Sequence, residues 1–139
     1  MKHKEPVHKI MATDPLTVHE KQSVSEIHHL MVERRIHHVP VVSGKRLIGL
    51  ISATDLMRVS FGDVNKQDPR TVDALLDTYT IRDVMQEDIL TVKPSDTVRT
   101  AAEHLARGDF HSLPVVGDDD ELVGLVTSTD LIKYLLDQY

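Results

Sequence analysis

The sequence predicts a mixed α/β (α+β) fold in which one strand-helix-strand-strand-helix unit is written twice. Three observations predict it. At an offset of 74 residues, Met11 meets Met85, Thr17-Val18 meets Thr91-Val92, and Pro40-Val41-Val42 meets Pro114-Val115-Val116. One inserted residue later the offset is 75, and Gly49-Leu-Ile-Ser-Ala-Thr-Asp55 meets Gly124-Leu-Val-Thr-Ser-Thr-Asp130. Between these anchors, short aliphatic runs alternate with stretches of helical period, so the duplicated piece is a complete supersecondary unit.

Each element has a local reason. Leu16-Thr-Val18 and Leu90-Thr-Val92 are short strands. The first helix opens at Ser23-Val-Ser-Glu26, with capping-box spacing, and keeps residues 24, 27, 30 and 31 on one face. Its equivalent opens around Asp96-Thr97, carries 98, 101, 102 and 105 on one face, and ends near Gly108. Val39 to Val42 and Leu113 to Val116 form the next strands, each followed by a polar turn. The inserted residue falls in that turn, where a change of length is tolerated best. Ile48-Gly-Leu-Ile51 and Val123-Gly-Leu-Val126 are near-continuous aliphatic runs, as strands covered on their faces require. Closing helices are expected from about Asp55 to Ser60 and from about Asp130 to Gln138. Between the copies, Asp68-Pro69 reads as the N-cap and first residue of a short helix docked by Val72, Leu75 and Leu76. The organisation is therefore repeat 1 over 1–62, a structured linker over 63–79, and repeat 2 over 80–139.

Composition removes several function classes. The chain has 139 residues, 40% of them hydrophobic, and no run approaching the ~20 apolar residues of a membrane span. The charged start Met1-Lys-His-Lys-Glu-Pro6 is not followed by an apolar signal core, so a cytoplasmic location is expected. A net charge of −6 argues against a nucleic-acid surface. Without cysteine there is no disulfide or thiolate chemistry. The histidine pairs His28-His29 and His37-His38 lack a partner at ligand spacing, so no metal is expected.

Ser52, Thr54 and Asp55, and again Thr127, Thr129 and Asp130, fall where an apolar strand gives way to a helix. Two readings stand. Thr54 and Thr129, or the aspartates, cap two helices. Alternatively, the hydroxyls and the helix N-terminus offer donors to a phosphate, and each ionised carboxylate accepts two hydrogen bonds from a diol.

Ile10-Met11, Leu16-Thr17-Val18, His38-Val39-Pro40-Val41-Val42 and Gly49 to Asp55, each with a second copy, resemble the CBS-domain family, named after cystathionine beta-synthase. The tandem arrangement resembles a Bateman module over about Val7 to Leu136. The resemblance implies two β-α-β-β-α repeats packed through their sheets with pseudo-two-fold symmetry, and adenosine-containing ligands in clefts between them. It implies AMP, ADP, ATP or S-adenosylmethionine as ligand, and no required cofactor. By the same resemblance Asp55 and Asp130 hold ribose, while Ser52, Thr54, Thr127 and Thr129 contact phosphate. Asp130 would work with Leu16, Ile36 and His37, and Asp55 with Leu90, Phe110 and His111. Some family members place a His-Arg pair before the Pro-Val-Val strand. Here the pair is His37-His38 in one copy and His111-Ser112 in the other, so a firmly held triphosphate is not expected.

No nucleophile is paired with a base and an orienting group, so a non-catalytic sensor is expected. It would act on an effector protein through conformational change. The alternative is a ligand-free scaffold mediating dimerisation. Leu56-Met57 with Val59, and Leu131-Ile132 with Tyr134-Leu135-Leu136, are apolar on more than one side and imply a homodimer.

Overall fold

A computed structural model describes residues 4–60 and 69–139. In chain order the elements are β1 (Ala12–Thr13), β2 (Val18–His19), α1 (Val24–Arg34), β3 (His38–Ser43), β4 (Arg46–Ser52), α2 (Ala53–Val59), α3 (Pro69–Leu76), α4 (Ile81–Val84), α5 (Val98–Leu105), β5 (Ser112–Val116), β6 (Leu122–Thr127) and α6 (Ser128–Asp137). A 3-10 turn at Val7–Lys9 precedes β1, and another at Asp118–Asp120 joins β5 to β6. The strands make two three-stranded sheets, ordered β2-β3-β4 and β1-β6-β5. Asp68, the expected cap of α3, lies outside the described residues, as does part of the expected linker. Among the described residues, no helix is long and apolar enough to cross a membrane.

Contacts divide the chain into two compact units. The first holds Leu16–Gly44 and Ile48–Ile89; the second holds the segment up to Pro15, Lys45–Leu47 and Leu90–Tyr139. These units and the sequence repeats partition the chain differently, because each repeat's leading segment packs on the other repeat's last strand. In the second unit, β1 pairs antiparallel with β6, Ala12 opposite Leu125. In the first, Leu50 and Gln86 form the equivalent antiparallel bridge, with backbone hydrogen bonds of 3.0 and 2.9 Å. The opposite edges match as well. Val18 lies parallel to Val41, and Val92 lies parallel to Val115.

The glycine that opens each repeated motif exists for this leading segment. A Cβ on Gly124 would lie 2.9 Å from the Ala12 carbonyl oxygen and would collide with the Met11 side chain. A Cβ on Gly49 would lie 3.1 Å from the Gln86 carbonyl oxygen and meet Met85 in the same way.

Within the first unit, Val24, Ile27 and Met31 of α1 pack with Val18, Val39, Val41 and Ile51 of the sheet and with Leu56 of α2. Ser23 caps α1, its hydroxyl accepting the Glu26 N–H at 3.2 Å. The helix stops at Arg35, which turns into the left-handed region at φ 54°. Val72 and Leu76 of α3 enter the same core. Asp77, just past α3, accepts both the N–H and the hydroxyl of Ser25, at 2.9 and 2.7 Å. The second unit repeats the design on a smaller core of Val7, Val92, Ala101, Leu105, Leu113, Val115 and Val126. Thr97 caps α5, accepting the Thr100 N–H at 3.1 Å.

Candidate functional site

The repeated motif sits at the junction of β4 with α2 in the first unit and of β6 with α6 in the second. The helices begin two residues earlier than the sequence suggests. Ser52 and Thr127 are the N-caps, and Asp55 and Asp130 are the third helical residues of capping boxes. Thr54 and Thr129, expected as candidate caps, instead lie exposed in the first helical turn. The shift has a simple cause: the serine or threonine that ends an extended strand already has the backbone angles an N-cap needs, so the helix starts directly after it.

The strand that precedes each motif is fastened to the same helix N-terminus. The His37 carbonyl accepts the Ala53 N–H at 2.9 Å, and the His111 carbonyl accepts the Ser128 N–H at 3.0 Å. Each unit thereby sets an exposed histidine beside a hydroxyl and a carboxylate. Leu16, Ile36, His37, His38, Ser52, Thr54 and Asp55 fall in the first unit; Leu90, Phe110, His111, Thr127, Thr129 and Asp130 fall in the second. Leu16 and Leu90, the equivalent apolar residues, are each 39% exposed. Ile36 and Phe110 are half-buried against their own cores.

The two carboxylates differ in their hydrogen bonding. Asp55 is 2% exposed. Its Oδ2 accepts the Ser52 N–H at 2.8 Å and the Ser52 hydroxyl at 2.9 Å. Its Oδ1 accepts Gln86 Nε2 at 3.0 Å and faces Arg58 Nη1 at 3.5 Å. Asp130 is half-buried, and its Oδ2 accepts the Thr127 N–H at 2.9 Å and the Thr127 hydroxyl at 3.1 Å. Among the described residues, Asp130 Oδ1 accepts no hydrogen bond. Gln86 and Arg58 escape a search for shared motifs because they are departures from the repeat. Ala12 stands where Gln86 does, and Lys133 where Arg58 does.

A second difference follows the histidines. His38 is half-buried, whereas its equivalent Ser112 is 2% exposed, and the Ser112 hydroxyl has no hydrogen-bond partner. Ser112 lies directly opposite Thr127 in the β5–β6 pairing, so the two side chains share one face of the sheet. The first unit also contains a cavity of about 410 Å³ whose walls include Met31, Val32, Ile36, His37, Leu56 and Met57. Among the described residues, no cluster of histidine, aspartate and glutamate is placed to hold a metal ion.

A family model described as the CBS domain matches residues 7–62 and 81–137. The chain is similar to a homoserine O-acetyltransferase from Methanocorpusculum labreanum, 31% identical over 126 residues, or 90% of this chain and 23% of the relative. It is also similar to an inosine-5'-monophosphate dehydrogenase from Korarchaeum cryptofilum, 32% identical over 118 residues, or 85% of this chain and 22% of the relative. It thus spans less than a quarter of the length of these curated relatives. Among solved structures, the Arabidopsis thaliana CBS-pair protein CBSX2, in complex with AMP, is similar with a TM-score of 0.81 and 27% identity. That likeness covers 96% of this chain and 98% of CBSX2. With both repeats matched and the duplicated motif folded as one unit in two copies, the chain belongs to the CBS domain family.

Proposed function

We propose that this chain is a non-catalytic regulatory module that binds an adenosine-containing ligand, AMP, ADP, ATP or S-adenosylmethionine. Occupancy is passed by conformational change to an effector protein, and the chain acts as a homodimer. The reading keeps 1–62 and 80–139 as the two CBS repeats and 63–79 as their linker. It is carried by the Asp130 carboxylate, which one oxygen fixes in a capping box while the other stays open at a helix N-terminus. Such a group suits a ribose diol, because an ionised acceptor makes stronger hydrogen bonds than a neutral one. The likeness to CBSX2, whose structure holds AMP, supports the same ligand class. Phosphate would be met by the exposed Thr129 hydroxyl at the N-terminus of α6, since the Thr127 O–H already donates to Asp130.

Calorimetric titration with AMP, ADP, ATP and S-adenosylmethionine tests the proposal. Heat and a raised melting temperature with at least one of them are expected. Neither, with any of the four, would overturn it. A second reading, a ligand-free scaffold, is favoured by the capping boxes themselves, since each aspartate already has a structural role. A silent titration is the outcome that reading expects.

A further inference from the structure

We propose that the two carboxylate sites are unequal: Asp55 is closed from within by Gln86 and Arg58, so the chain takes one adenosyl ligand, at Asp130. The inference rests on the function proposed above and adds which site is filled. An ionised carboxylate offers about four lone-pair positions. At Asp55 all are taken, two by Ser52 on Oδ2 and two by Gln86 and Arg58 on Oδ1. At Asp130 only the two on Oδ2 are taken, by Thr127. A ribose diol brings two donors to one carboxylate, which matches what Asp130 Oδ1 leaves open and what Asp55 lacks.

The asymmetry is written in the sequence at equivalent places. Leu50 bridges to Gln86 and Leu125 pairs with Ala12, so the residues after Met85 and Met11 occupy the same position in their units. A glutamine there reaches the carboxylate; an alanine has no side chain that can. Ser112 marks a further difference between the two sites, standing where the first unit has His38. Its hydroxyl is buried, lacks a partner and shares a face with Thr127, the residue that fixes Asp130. A buried hydroxyl without a hydrogen bond is costly.

The test is calorimetric stoichiometry with AMP, together with ADP, ATP and S-adenosylmethionine, on the wild type and two variants. The wild type is expected to bind one molecule per chain. Asp130→Asn should weaken binding at least tenfold with the melting temperature of the free protein held within a few degrees. Gln86→Ala combined with Arg58→Ala removes two exposed side chains and leaves the Ser52 cap intact, and should raise the stoichiometry to two. Two molecules per chain in the wild type, or unchanged affinity in Asp130→Asn, would overturn the inequality and leave the proposed function standing. So would a stoichiometry that stays at one in the double variant. No binding of any of the four by the wild type would overturn both.

Discussion

At the scale of single residues, Gly124 and Gly49 show how closely the leading segments are held. A Cβ on Gly124 would lie 2.9 Å from a backbone carbonyl that cannot move without breaking the β1–β6 pairing; on Gly49 the equivalent distance would be 3.1 Å. Gly124→Ala is therefore expected to cost about 1–3 kcal/mol, the range for overpacking, and Gly49→Ala less. Urea denaturation of both variants checks the order, and equal stability with wild type would show that the segments can shift freely. His28 sets a pH dependence. Burial lowers its pKa below the ordinary value, its neighbour His29 lowers it further, and Asp73 opposes both. The unfolded chain thus binds the proton first, near pH ~6.5. The stability this neutral histidine gives is full above that pH and is lost as pH falls through the lower folded value. His28→Gln should lose less stability than wild type between about pH 7.5 and about pH 5.5, measured by denaturation at each end.

Helices in this chain are held at their starts, and the ties come from near and far. Ser52 and Thr127 close capping boxes within three residues, whereas Asp77 reaches back to Ser25 at the start of α1. His29 and Asp73, 3.0 Å apart, add a second link between α1 and α3. Asp77→Ala leaves an N–H of the first turn of α1 without its carboxylate and should cost about 1 kcal/mol. Amide exchange should rise in α1 and α3 and not in α5. Uniform exchange across the chain would assign Asp77 no role in docking α3. These near ties are the part that sequence reads well: Ser23, Thr97 and both aspartates announce helix starts within a residue or two. The repeat itself fixed the order of the main strands and helices, because an apolar period recurring at a constant offset has few other causes. What stayed hidden is long-range. Ala12-Thr13 is too short to show any period, so nothing local says that it pairs with β6. Gln86 is an ordinary exposed residue until the fold brings it to Asp55.

At the scale of the whole molecule, apolar side chains left on the surface decide the expected assembly. Met57 is 55% exposed and its equivalent Ile132 is 58% exposed. The same position is thus left open in both repeats, which a chance surface residue would not explain. Around them, Val32 is 65%, Leu135 42% and Leu136 67% exposed. Ile132, Leu135 and Leu136 follow helical spacing on α6, so they form a stripe and not a scatter. Full burial of one such side chain is worth about 1.5–3 kcal/mol relative to exposure, and a second copy of the chain offers matching stripes in a two-fold arrangement. Sedimentation equilibrium at micromolar concentration should give a dimer, with and without AMP. Met57→Glu together with Ile132→Glu places a charge at two positions that are more than half exposed, so it should give a folded monomer with an unchanged circular dichroism spectrum. A monomeric wild type in both conditions would remove the dimer. A dimer that survives both charges would place its interface elsewhere on the chain.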